Sequence, residues 1–494
     1  MNTKDFDGVV VGSGPNGLAA AITMQQAGLS VLIVEGKKEI GGGLRSAELT
    51  LPGFTHDICS AIHPLAIGSP FFNSLPLHDH GLEFISPDTA AAHPFDDGTA
   101  AVLKNDLLNT ARMLGDDEQA YLKLIGPLVK DWPTIATQVL GPLNLSKNLT
   151  SMIKFGLHAF TSAEFLSKHF KTEKAKGLWA GMAAHSMQPL SVYTTSAIGL
   201  VLLTTAHLRG WAIPLGGSQA IAGSLASYFI SLGGKIETGF EVKSLEQLPS
   251  ANALLLDVTP RQILRIAGHK FSWIYKYQLE RYRYGMGVFK MDWALDGPVP
   301  FTNAEARAAG TVHLGNTLNE ISASEQSVWS GRISEKPFVL LAQQSLFDAS
   351  RAPLGKHTAW AYCHVPNGSK VDMTEAIENQ IERFAPGFRD RILAKHTMNT
   401  AEMEEYNPNY IGGDINGGVL DPGQLFTRPA LRRSPYRTSA KGIYICSSST
   451  PPGGGVHGMC GYHAAKRALK DIFGIKLNNE LIPRLNQDHP RPKN

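Results

Sequence analysis

Residues 6–35 read FDGVVVGSGPNGLAAAITMQQAGLSVLIVE, and the order of residue types in this stretch decides the fold. An apolar run ends in Gly12-Ser13-Gly14-Pro15-Asn16-Gly17, a helix of small residues follows, and a second apolar run closes on Glu35. The pattern predicts strand, turn, helix and strand, the opening of a parallel sheet with helices on its faces. Glycines at these positions let the backbone approach a pyrophosphate at the helix N-terminus, where free N–H groups and the helix dipole favour negative charge. Glu35 stands about 20 residues beyond the first glycine, where a carboxylate binds a ribose hydroxyl pair. Alone, G-x-G-x-x-G is a glycine turn; framed by strand, helix and acidic residue, it is a dinucleotide fingerprint.

Nicotinamide and flavin dinucleotides share that fingerprint, so the following residues matter. Gly36 and then KKEIGGGLRS bring a second glycine cluster at Gly41, Gly42 and Gly43, with Arg45 and Ser46 behind it. Such a cluster lets the chain run beside a diphosphate and ribityl chain, and Arg45 is placed to neutralise phosphate charge. The alternative is a surface turn with a solvated arginine. Its position directly after the ribose-binding strand favours FAD. No further G-x-G-x-x-G follows a strand after Glu35, so a separate nicotinamide domain is not expected.

The 494 residues are 43% hydrophobic and 18% charged, a globular composition with ample core for two intertwined domains. Net charge is only +3 and the basic residues are scattered, which argues against a nucleic-acid partner. Cys59, Cys363, Cys446 and Cys460 form no CxxC pair and no zinc-spaced cluster, so a reducing, cytoplasmic setting without structural metal is expected. A strand begins almost at Met1, leaving no room for a signal peptide. SAIGLVLLTTAHL, 196–208, is too short to span a bilayer. A buried helix is the favoured reading, with a lipid-facing entrance and peripheral membrane contact as the alternative.

Further along, IPLGGSQAIAGSLASYFISLGGKIETGFEV predicts a glycine turn, a helix and a strand; LLLDVTP and GIYIC predict two more buried strands. The last of these leads into CSSSTPPGGGVHGMCGYHAA, a glycine run before a helix with Met459, Tyr462, Ala465 and Leu469 at inward spacing. Between about 90 and 209 the chain reads as helical, with turn signals at Gly126-Pro127, Trp132-Pro133 and Gly141-Pro142. VFKMDWAL and FVLLAQQ read as strands of a sheet floor.

Together with the N-terminal motifs, HDICSAIHPLAIGSPFF (56–72), RYGMGVFKMDWALDGPVP (283–300), NPNYIGGDI (407–415) and PPGGGVHGMCGYHAA (451–465) resemble the phytoene desaturase-like flavoproteins, over roughly residues 5–473. The resemblance implies an α/β fold in which a discontinuous Rossmann-like FAD domain (1–90, 210–270 and 408–480) carries an inserted α+β substrate and lid domain (91–209 and 271–407), with a tail over 481–494. It implies FAD held by Gly12, Gly14, Pro15, Asn16, Gly17, Glu35, Gly36, Gly42, Gly43, Arg45, Ser46, Val242, Ser448, Gly454, Gly455, Val456 and Gly458. The activity implied is hydride transfer between flavin and a C–H bond of an apolar, polyene-like or lipid-like substrate, with oxygen or a quinone as electron acceptor and a monomer or homodimer as the working form. An amine-oxidase-like enzyme and a non-catalytic flavoprotein are the alternatives.

Candidates for chemistry are His63, with His56 and Ser60 in the same segment, His457 beside the glycine run, and Lys290 within its strand; a histidine is suited to take a proton near neutral pH. His63 before a proline also suits a turn, and period two leaves Lys290 free to face cavity or solvent. His457 reads equally as flavin contact, substrate contact or capping group. The chain departs from the resembling pattern at Ser447, for a glycine, and at Pro451, for a histidine. It has no CxxxxC after the first helix, so disulfide chemistry is not implied.

Overall fold

The computed structural model describes residues 4–142 and 149–477, so the expected tail, 481–494, lies outside the described residues. The strands in chain order are β1 Phe6–Val11, β2 Val31–Val34, β3 Ser46–Glu48, β4 Thr55–Asp57, β5 Phe84–Ile85, β6 Thr89–Pro94, β7 Ala100–Lys104 and β8 Ile213–Pro214. They continue as β9 Lys235–Glu237, β10 Ala251–Leu256, β11 Gly287–Leu295, β12 Ala309–Leu314, β13 Val339–Ala342, β14 His357–Val365, β15 Ile392–Met398 and β16 Ile443–Ile445.

One sheet has five strands, all parallel, in the order β16-β10-β1-β2-β9. Its apolar runs are nearly continuous because helices bury both faces. Val10, Ile33, Ala253 and Leu255 meet the helices α1, Pro15–Gln26, Gln219–Ser231 and Met459–Ile472 on one side. Val9, Leu32, Val34 and Leu256 meet Ile263, Tyr275 and Leu279 on the other. A side chain on Gly461 would put its Cβ 1.8 Å from the Asn16 carbonyl oxygen, so only glycine lets the C-terminal helix lie on the first turn of α1.

The second sheet has seven strands in the order β15-β11-β14-β13-β12-β6-β7, antiparallel except where β12 meets β6. Strand period two divides its faces. Phe289, Met291, Trp293, Leu341 and Ala361 join Ile377, Ile381 and Phe384 of the helix Thr374–Phe384 in one apolar cluster. Val288, Leu340, Trp360 and Tyr362 form a different cluster on the opposite face. By the same alternation Lys290, Asp292, His313, His364 and His396 share that second face, which is therefore the chemically equipped one.

Two sequence expectations change. Pro127 and Pro133 do not break the chain: one helix, Glu118–Val139, runs through both. Leu124, Ile125, Leu128, Trp132 and Ile135 are buried along it, and that packing outweighs a cost of about 3 kcal/mol per interior proline. The apolar segment 196–208 forms the helix Thr195–Arg209, whose residues Gly199–Ala206 are buried, so this helix presents no face to lipid. Trp211 beyond it is core as well, its indole N–H donating to Thr311 Oγ1 at 2.8 Å. No helix among the described residues is long and apolar enough to cross a membrane.

Candidate functional site

A cavity of about 610 Å³ opens at the carboxyl ends of β1, β2 and β10 and continues to the equipped face of the seven-stranded sheet. The carboxyl edge of a parallel sheet is where ligands bind in this architecture, because the loops there are free of the helix return. Gly12, Gly14, Pro15, Asn16, Glu35, Gly36, Gly42, Gly43 and Arg45 line it from the N-terminal segment, and Val242 from the middle of the chain. Ser448, Gly454, Gly455 and Val456 reach it from the C-terminal glycine run.

Close approach explains the glycines. A Cβ on Gly17 would lie 2.1 Å from the Gly12 carbonyl oxygen, closing the turn that opens α1. A Cβ on Gly42 would lie 3.0 Å from Gly14 Cα, so the two N-terminal glycine loops touch. Glu35 is locked in place. Its Oε2 accepts from the Ser13 N–H at 2.9 Å and the Ser13 hydroxyl at 2.6 Å; Oε1 accepts from the Lys37 N–H at 2.9 Å and from Arg45 Nη2 at 3.1 Å. Arg45 thus neutralises Glu35 and lies over the Tyr406 ring, in place of standing free for phosphate.

Several expected residues are not on the cavity wall. Gly17 lies one turn beneath it, and the Ser46 hydroxyl donates to Asp57 Oδ1 at 2.7 Å. Gly458, in a left-handed conformation at φ 68°, packs against Phe71, Phe72 and Ala19. His63 Nε2 pairs with Ser218 Oγ at 2.8 Å, while His457 Nδ1 accepts the Met459 N–H at 3.0 Å and so caps the last helix. Burial lowers both histidines to about 4, keeping them neutral. Of the three candidates for chemistry, Lys290 alone lines the cavity. It pairs with the fully buried Asp292, whose other neighbours are His56 at 3.7 Å and His396 at 3.6 Å. Register places Lys290 beside Tyr362 on β14 and Asp292 beside Trp360.

The structure adds residues that sequence reasoning missed. Asp257 follows β10 directly, lines the cavity and accepts the Gly17 N–H through Oδ2 at 2.9 Å. Its place at the carboxyl end of a buried parallel strand was the available signal. Burial raises this carboxyl, against the Gly17 hydrogen bond and with the charge of Glu35 adding, to about 7. The folded protein therefore keeps a proton that the unfolded chain releases near pH 4, and the resulting stability is lost as pH rises toward 7. Asp257→Asn, which still accepts from Gly17, is expected to match wild type near pH 4 and to exceed it by about 3 kcal/mol above pH 7, read by denaturant unfolding at both pH values. His185, Met187, Trp360 and Tyr362 also line the inner end; a single histidine after an alanine-rich helix carried no signal of this.

The inner end combines Met187, Val288, Leu340, Met403 and Ile62 with Trp360, Tyr362, Tyr406 and Tyr410. Among the described residues no group of three His, Cys, Asp or Glu is placed to hold a metal.

A sequence profile for an NAD(P)-binding Rossmann-like domain matches residues 10–72. Pyridine nucleotide-disulfide oxidoreductase domain-containing protein 2 of Mus musculus is 26% identical, across 95% of this chain and 94% of that protein. Phytoene desaturase (lycopene-forming) of Pseudescherichia vulneris is 22% identical, across 93% and 98%. The chain is a relative of the phytoene desaturase-like oxidoreductases. Within this group, a limonene dehydrogenase polypeptide of Castellaniella defragrans is 22% identical, across 95% of both chains. Among solved structures, an oxidoreductase from Methanosarcina mazei superposes with a TM-score of 0.63 at 15% identity, covering 92% of this chain and 98% of that one. Wild-type putrescine oxidase bound to putrescine superposes with a TM-score of 0.60 at 15% identity, covering 95% and 99%. These likenesses show the fold, a Rossmann-like α/β domain with a substrate-side sheet.

Proposed function

We propose that the protein is an FAD-dependent oxidoreductase that removes hydride from a C–H bond of a predominantly apolar substrate. The observation that carries the reading is the single cavity joining two chemically different ends. At one end, glycines that no side chain can replace, the N-terminus of α1 and the fixed Glu35 form a cradle that fits a dinucleotide. At the other, methionine, valine, leucine and isoleucine side chains meet four aromatic rings. FAD bound there would supply the hydride acceptor.

The chain's own residues would hold the cofactor through the Gly12–Asn16 turn, Gly42, Gly43 and the Gly454–Val456 loop, orient the substrate on the Trp360 and Tyr362 side, and exclude water by burial. Lys290 is the group we assign to proton handling at the inner end. Its charge also weighs against the amine-oxidase alternative, because an ammonium substrate would meet a lysine and, among the described residues, the inner lining carries no carboxylate. The test is anaerobic mixing of the FAD-loaded protein with limonene, phytoene or putrescine, followed by absorbance of the flavin. Bleaching by a hydrocarbon, with reoxidation by oxygen or a quinone, is expected. Bleaching by putrescine alone, with peroxide release, would replace this reading by the amine-oxidase one, and no bleaching by any would leave a non-catalytic flavoprotein.

A further inference from the structure

His185 follows the helix Glu173–Ala184 and stands in the cavity wall, partly exposed to it. Its Nε2 lies 3.1 Å from Nε2 of His313, which is fully buried on the equipped face of β12. Two imidazoles can share a hydrogen bond at that distance only if one nitrogen donates and the other accepts. Burial keeps both rings neutral, lowering His185 to about 3 and His313 further. The pairing therefore fixes what is left at His185. If its Nε2–H donates to His313, its Nδ1 accepts; if His313 donates, its Nδ1–H donates. One neutral side chain offers either polarity to the cavity without acquiring charge.

The neighbouring groups narrow the choice. Lys290 is already paired with Asp292, and His364, on the same sheet face, is held by Glu325 at 2.7 Å from Nδ1. A carboxylate or ammonium group brought beside His185 would be buried without a free counter-ion, at a cost that apolar contacts do not offset. A hydrocarbon would leave His185 facing an apolar surface with a hydrogen-bonding nitrogen unused.

We propose that the substrate carries one uncharged oxygen function, a hydroxyl or a carbonyl, on an otherwise apolar skeleton, and that His185 holds it. The inference rests on the apolar-substrate reading above and narrows it. Because the histidine pair presents an acceptor in one tautomeric arrangement and a donor in the other, it suits an alcohol and a carbonyl compound alike.

The experiment uses one skeleton with five substituents: limonene, perillyl alcohol, perillaldehyde, perillic acid and perillylamine, each titrated into the FAD-loaded protein and followed by the change in flavin absorbance. The alcohol and the aldehyde are expected to bind about tenfold more tightly than limonene, the return on one well-made hydrogen bond in a dry site, and the acid and amine more weakly. His185→Phe is expected to bring the alcohol down to the affinity of limonene while leaving limonene unchanged; His185→Gln, which retains a donor and an acceptor, is expected to keep part of the preference. Equal binding of limonene and the alcohol by wild type overturns the inference and leaves the apolar reading standing. Preference for the amine overturns both. Binding of none of the five overturns the inference, and hydrocarbon turnover still decides the wider reading. The wild-type series is decisive even if neither variant folds.

Discussion

Gly461→Ala is expected to yield a protein destabilised by more than about 3 kcal/mol and largely free of flavin, although Gly461 is not part of the cavity wall. The added methyl carbon would sit 1.8 Å from the Asn16 carbonyl oxygen and 2.9 Å from the Ala20 nitrogen, both backbone atoms of α1. Neither can swing aside as a side chain would, so the helix Met459–Ile472 must lift from α1. Asn16 lines the nucleotide end and the Gly454–Val456 loop precedes the lifted helix, so separation pulls two walls of one cradle apart. Thermal unfolding and the flavin-to-protein absorbance ratio of the purified variant check this. A variant with wild-type melting and full flavin content would show that the contact relaxes elsewhere.

The second large effect belongs to the Lys290–Asp292 pair. Lys290→Met removes the partner of a carboxylate that has no exposed surface, leaving only His56 and His396 near it. An uncompensated buried charge costs about 3–5 kcal/mol, so this single change is expected to destabilise by that amount. Lys290→Met combined with Asp292→Asn removes the orphaned charge and is expected to recover most of the loss, a coupling that a double-mutant cycle in denaturant reads directly. Turnover separates structure from chemistry. If Lys290 handles a proton, the stable double variant remains about 100-fold slow; recovery of turnover along with stability would mean that the lysine only balances Asp292.

The two glycine-rich segments were legible in sequence because each residue there answers to a constraint of the backbone itself. Gly14 and Gly42 touch each other, Glu35 must end a strand, and no side chain need be oriented to see it. The C-terminal glycine run was legible for the same reason, even though it meets the first from the far end of the chain. The substrate side was harder. Period two puts Lys290 on one face of β11 but does not say which face meets the cavity, and that was settled by Phe289, Met291 and Trp293 packing under the helix Thr374–Phe384. One clue was present: Lys290 and Asp292, two apart on a strand, must share a face, and opposite charges within an apolar strand mark a buried pair. His63 and His457 showed the opposite failure. Their proximity to the motif suggested chemistry, whereas Ser218 and the Met459 N–H occupy their ring nitrogens. The interior prolines misled because local preference was overridden by a buried helix face.

The order of the five-stranded sheet has a consequence for biosynthesis. β1 lies between β2, its near neighbour in sequence, and β10, which is synthesised more than two hundred residues later; β16, beyond β10, arrives only near the end of translation. Pairings this distant close slowly, because the entropy of a long loop is lost before any contact repays it. A nascent chain emerging from the ribosome therefore holds half a nucleotide cradle for most of its synthesis, and chains that stop before Met459 lack the helix that backs it. Cofactor retention would thus distinguish full-length chains from truncated ones, making the bound flavin a report of completed translation.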